Sequence, residues 1–239
     1  MDAFSYTDIF DTKGIEYLIV IGFLLLIIPF WVLLNRPLKL KEKAWETAGI
    51  LSERILRIPQ GLMYSCNHTW TFLEKSGLAR VGIDDLLLHL TGGVQLEYLA
   101  GEQNKIRKGD VIARIARDGK ELKIASPISG EIERVHASLE QQPGVLNEDP
   151  YGSGWICKIR PENWMEETRS CYVARDATEW INKELSRFKD FITESMNRHL
   201  PEPAPVIMQE GGELTDAPLS EMNEKVWKDF QARFLDVKD

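Results

Sequence analysis

Hydrophobic residues change their spacing twice along this chain, and each spacing predicts a different kind of element. From Tyr17 to Leu34 they form an unbroken run of 18 residues without a charge, YLIVIGFLLLIIPFWVLL. From Tyr64 to Arg160 they fall in short runs separated by turn residues: TWTFL, LARVGI, VQLEYL, DVIARIA, KELKIA, GEIERV and GWICKIR. Alternation of that length, closely spaced and bounded by Gly, Ser, Asp and Pro, predicts a barrel or sandwich of short strands. A helical piece from Asp84 to Leu90, closed by Gly92-Gly93, interrupts them. Beyond Trp164 the spacing becomes helical. Val173, Ala177, Trp180, Ile181, Leu185, Phe188, Phe191 and Ile192 share one face, and so do Leu219, Met222, Val226, Phe230 and Phe234 near the end. Ser220 is the cap expected for that last helix.

The first run is long enough to cross a hydrocarbon core of ~30 Å. A cleaved signal peptide is the alternative, but Asp2, Asp8 and Asp11 precede the run and Asn35-Arg36-Pro37 follows it. Neither flank suits a signal peptide. A buried core helix this uniformly apolar is unusual. The expectation is therefore a transmembrane helix over 14–35. Lys13 alone precedes it, whereas Arg36, Lys39, Lys41 and Lys43 follow. That asymmetry predicts a single-pass protein of the inner (cytoplasmic) membrane, with residues 1–13 outside and the main domain cytoplasmic. Trp45, Ala48, Leu51, Ile55 and Ile58 recur at helical intervals and predict a juxtamembrane helix over 36–60. A β domain over 61–165 follows, then a helix over 166–200, an extended Pro-rich linker over 201–218 and a terminal amphipathic helix over 219–239.

Charge and reactive residues narrow the function classes. A net charge of −8, with 28% charged residues, gives nucleic-acid binding no electrostatic support. The 3 cysteines, Cys66, Cys157 and Cys171, have no CxxC spacing and suit a reducing compartment. His68, His89, His136 and His199 are scattered without ligand spacing, so no metal site is expected. No nucleophile-base pair or phosphate-binding loop is recognisable, and no catalytic residue is assigned. Residues 200–239 carry 9 acidic against 4 basic side chains, which fits either a basic partner surface or a solvated tail.

Several motifs together carry a resemblance. They are YSCNHTWTFLEKSGLARVGI with His68 and Trp70, VGIDDLLLHLTGGVQLEYL, Lys108-Gly109-Asp110, SPISGEI over 126–132, and above all NEDPYGSGW over 147–155. Residues 62–195 resemble the glycine cleavage system H protein, a member of the lipoyl-domain family. The resemblance implies a mainly β fold: a lipoyl-type flattened β-barrel, here with an N-terminal transmembrane helix and C-terminal helices. Pro150, Gly152 and Gly154 then serve a turn, and Tyr151 and Trp155 close the barrel end.

The family's functional group is a lipoyl arm on a lysine at the tip of one hairpin. Here that hairpin reads ARIARDGKELKIASP, with Asp118-Gly119 as its turn. Counting back from Ser126-Pro127 places Gly119 where the family's lysine belongs. Lys120 lies one residue later, Lys123 deeper in the strand, and the family's Glu-Ser-Val approach is replaced by Ala116-Arg117-Asp118. Because side chains alternate along a strand, a one-residue shift changes where the amine projects. Lys120 remains the candidate lipoyl site, through a three-residue tip, but a hairpin without lipoate is the preferred reading. The expected function is thus a non-catalytic, membrane-anchored H-like subunit. It would scaffold or assemble a membrane-associated complex, by association a redox or respiratory one, with membrane lipid and integral membrane and cytoplasmic subunits as partners. The alternative is a tethered carrier with lipoate on Lys120.

Overall fold

The computed structural model describes residues 9–34, 50–199 and 214–237. The chain divides into two compact units, Met1–Ala44 and Trp45–Asp239. In the first unit, α1 spans Ile9–Leu34 and contains Pro29.

The expected transmembrane span is corrected here: among the described residues no helix is long and apolar enough to cross a membrane. Asp11, Lys13 and Glu16 occupy the first turns of α1, so its apolar stretch begins only after three charged residues. The single-pass assignment to the inner membrane falls with the span. The juxtamembrane helix lies outside the described residues as far as residue 49, and Ile50–Leu51 form a strand, β1. The linker over 201–218 also lies mostly outside the described residues.

The mainly β expectation is corrected as well, because the second unit mixes helix and sheet in one fold. Its strands are β2 (Met63–Tyr64), β3 (Thr69–Leu73), β4 (Ala79–Ile83), β5 (Gln95–Tyr98), β6 (Lys105–Ile106), β7 (Val111–Arg117), β8 (Lys120–Ala125), β9 (Gly130–Val135), β10 (Trp155–Pro161), β11 (Tyr172–Val173) and β12 (Leu214–Thr215). Between and after them come α2 (Asp85–Thr91), α3 (Ser138–Gln141), α4 (Val145–Glu148), α5 (Trp164–Glu167), α6 (Ala174–His199) and α7 (Glu224–Phe230). Helical spacing after residue 164 is strong enough that α6 alone contributes 26 residues.

A 7-stranded sheet has the order β11-β2-β3-β4-β10-β9-β6, and a 3-stranded sheet the order β5-β7-β8. A separate ribbon pairs β1 with β12. The two larger sheets contribute to a single apolar core, which holds Tyr64, Trp70, Val81 and Ile159 from one, and Leu96, Ile115, Leu122 and Ile124 from the other. Cys157 belongs to that core, and burial pushes its thiol up to about 12, which makes it a packing residue. Trp70 faces Gly82 across β3 and β4. A Cβ at position 82 would meet the indole at 2.6 Å, so glycine lets the ring lie flat on the neighbouring strand. The indole N–H donates to the Ile83 carbonyl at 3.0 Å.

The motif at 147–155 is held by hydrogen bonds, not by chemistry. Asp149 accepts from the Gly152 and Ser153 N–H groups at 3.0 and 2.7 Å. The Tyr151 hydroxyl accepts from the Asp85 N–H at the start of α2. Arg57 joins the two pieces, donating to the Asn147 and Glu148 carbonyls and to the Asp85 carboxylate. Trp155 stacks on His136 with ring centroids 4.3 Å apart.

Candidate functional site: the hairpin tip and its cover

The β7–β8 hairpin turns on two residues. Asp118 and Gly119 both have positive φ, 51° and 77°, as a type I′ turn requires. Arg117 pairs directly with Lys120, so Lys120 is the first residue of β8 and not the apex. Gly119 holds the apex, and a Cβ there would meet nothing within 4 Å. A cavity of about 460 Å³ lies on that side of the tip, lined by residues including Val94, Arg117, Gly119 and Pro143.

The other side of the tip is covered. The Lys120 Nζ donates to the Ser220 carbonyl at 2.7 Å and to the Met222 carbonyl at 2.9 Å. It also lies over the Trp227 ring, 5.4 Å from the centroid. Burial holds its ammonium below the ordinary lysine range, against the pull of Asp118. Farther along β8, Gln231 uses its side-chain amide as a stand-in for a neighbouring strand. It accepts from the Lys123 N–H at 2.8 Å and donates to the Lys123 carbonyl at 3.3 Å. The 3-stranded sheet ends at β8, so these bonds satisfy backbone groups on a free edge.

Local sequence explains how this cover is shaped. Pro218 begins a 3-10 turn over Pro218–Glu221, and Asn223 then caps α7 by accepting from the Val226 N–H at 3.1 Å. The helix expected to run unbroken from Leu219 is thus split at Met222, and its cap is Asn223 instead of Ser220. That break turns the Ser220 and Met222 carbonyls outward, toward Lys120. Upstream, β12 pairs with β1, the Ala217 N–H donates to the His89 carbonyl, and Asp216 Oδ1 sits 2.8 Å from His89 Nδ1. On its far side the segment joins an aromatic cluster in which Phe230 and Phe234 meet Phe188 and Phe191 of α6.

A second polar group lies in the interior. His68 is fully buried, with Nδ1 2.7 Å from Asp84 Oδ2 and Nε2 3.8 Å from Glu184 Oε2. The longer separation exceeds a hydrogen bond, so Glu184 acts on the ring as a charge. Burial opposes the imidazolium, yet Asp84, followed by Glu184, overcomes it and raises His68 to about 9. Asp84 also caps α2, accepting from the Leu87 N–H. Since Glu184 belongs to α6, the cluster ties that helix to the sheet. Among the described residues no group of three or more metal-ligating side chains is close enough to hold a metal ion.

The architecture meets its counterpart in sequence comparison. The model of the glycine cleavage H-protein family matches residues 62–184. The chain belongs to the glycine cleavage H-protein family. Among its relatives, a probable glycine cleavage system H protein of Pyrococcus horikoshii is 31% identical over 125 residues, covering 52% of this chain and 92% of that protein. The corresponding protein of Thermococcus gammatolerans is 34% identical with the same coverage. The glycine cleavage system H protein of Psychrobacter cryohalolentis is 35% identical over 106 residues, 44% of this chain and 84% of its own. Among solved structures, the H protein of Mycobacterium marinum aligns with a TM-score of 0.40 and 23% identity, covering 44% of this chain and 86% of its own.

H-protein family members are non-enzymatic carriers of lipoate. The two sequence candidates for the attachment site, Lys120 and the Gly119 register position, are adjacent at the tip but face different surroundings. Lys123 points its backbone, through Gln231, at the same cover. The cover itself escaped sequence reading. Its acceptors for Lys120 are backbone carbonyls, which leave no mark in a sequence, and Trp227 stands one position off the expected apolar stripe. The family match ends at residue 184, before the cover begins.

Proposed function

We propose that this chain is a non-catalytic H-protein-type subunit that works without lipoate, as a docking or assembly component of a larger protein complex. One observation carries the reading: glycine occupies the hairpin apex while the neighbouring lysine's ammonium is already bonded to two carbonyls of its own chain. A carrier needs a long, freely swinging arm. An amine held at 2.7 and 2.9 Å by its own backbone cannot swing one without giving up both bonds. Elsewhere the family's motifs are in place, with Trp70 buried and both Tyr151 and Asp149 of the 147–155 turn hydrogen-bonded. A protein that keeps the barrel and loses the arm retains a shaped surface, and protein partners are what such a surface serves.

The carrier reading, with lipoate on Lys120, requires the cover to be open whenever the arm is loaded. Mass spectrometry of the intact protein from its native source separates the two. The subunit reading expects an unmodified chain that co-purifies with other protein subunits, and a lipoyl adduct on Lys120 would reverse it.

A further inference from the structure

We propose that the segment Leu214–Leu235 is an autoinhibitory contact: it seals the Lys120 side of the hairpin, so that no partner reaches the amine or the free edge of β8 until the segment lifts. The inference rests on the subunit reading above and adds a regulation to it.

Three features set how this segment meets the hairpin. First, it is an addition to a complete fold. The family match stops at residue 184, and 125 residues of this chain account for 92% of the Pyrococcus relative. Second, its hydrogen bonds to the hairpin lie at the rim: two carbonyls on Lys120 Nζ, which also sits over the Trp227 ring, and one amide side chain on the Lys123 backbone. Water can replace each of these when the segment moves. The core-facing residues of β8, Leu122 and Ile124, are fully buried in a core to which the segment's Leu219, Val226 and Trp227 also belong. Third, the segment has an aromatic anchor on α6. Phe230 and Phe234 pack on Phe188 and Phe191, all beyond the family match, with Arg187 over the Phe234 ring at 4.1 Å. The segment is therefore held on α6 by aromatic packing, joined to the barrel's core through Leu219, Val226 and Trp227, and hydrogen-bonded to the hairpin at its rim. Lifting it exposes the hairpin edge and uncovers Val226 and Trp227 with it.

Lysine acylation of the full-length protein tests this. The probe is an acetyl succinimidyl ester at limiting concentration, with modified lysines quantified by peptide mapping. In the unaltered chain Lys120 should acylate about tenfold more slowly than the exposed Lys123, a ratio that corresponds to modest local opening. Because burial lowers the Lys120 ammonium below its ordinary range, more free amine is present, and slow labelling reports cover and not protonation. Trp227→Ala, which removes the ring beneath Nζ, should bring Lys120 close to the Lys123 rate, whereas Trp227→Phe should leave it slow. Amide hydrogen exchange checks that the barrel stays folded and that 214–235 loosens in Trp227→Ala. Equal rates at Lys120 and Lys123 in the unaltered chain would overturn the proposal. So would a Lys120 that stays slow while 214–235 exchanges freely, since the barrel itself would then be the shield. Neither result bears on whether the native protein carries lipoate, so failure here is separable from failure of the subunit reading.

Discussion

At the scale of single residues, His68 shows how a buried charge couples the parts of the fold. Its folded value of about 9 stands above the ordinary 6.5, so the folded protein binds a proton that the unfolded chain releases. The resulting stabilisation is complete below about pH 6.5 and is lost as pH rises through 9, on the order of 3 kcal/mol in all. Urea unfolding at pH 6, 7.5 and 9.5 should show the unaltered protein losing stability across that range, with His68→Gln markedly flatter. Equal slopes in the two proteins would remove His68 from the account. Gly82 makes the opposite kind of demand, for space instead of charge. Gly82→Ala would drive a methyl to 2.6 Å from the Trp70 indole, at a cost of about 2 kcal/mol in denaturant unfolding. The sequence marks both sites only in part. His68 and Trp70 belong to a recognisable motif, but the partner Glu184 lies far along the chain and in helical context.

At the scale of elements, what a sequence can reveal depends on whether the determinant is local. The β7–β8 hairpin is legible because Asp118-Gly119 carries its own turn geometry, and α2 because Asp84 supplies its own cap. The C-terminal segment is less so. An apolar stripe from Leu219 to Phe234 reads as one helix, yet the break at Met222 is made by the competition between a 3-10 turn at Pro218 and the Asn223 cap. Asn223→Ala should therefore cost about 1 kcal/mol and raise hydrogen exchange at Val226 before it does so in the barrel. Uniform exchange across the protein in that variant would mean the cap is not a local determinant. The run from Tyr17 to Leu34 shows the reverse error. Hydropathy alone made it a membrane span, whereas among the described residues no helix meets the length and apolarity needed.

At the scale of the molecule, the family barrel and its additions play different parts. Residues 62–184 carry the motifs that placed the chain in its family, and those motifs are local enough to be read directly. The relation between the barrel and the C-terminal segment was not legible, because Lys120 and Ser220 lie 100 residues apart and meet through a backbone carbonyl. That contact changes the meaning of the hairpin. In the proposed function the glycine at the apex displaces the family's lysine by one position, and the bonded ammonium of Lys120 is what its neighbour does instead. The most direct test of this account is the intact mass of the protein purified from its native source. The mass of the unmodified sequence, with Lys120 free of any adduct, is the result expected of a subunit that works without lipoate. A stoichiometric lipoyl adduct mapped to Lys120 would contradict it.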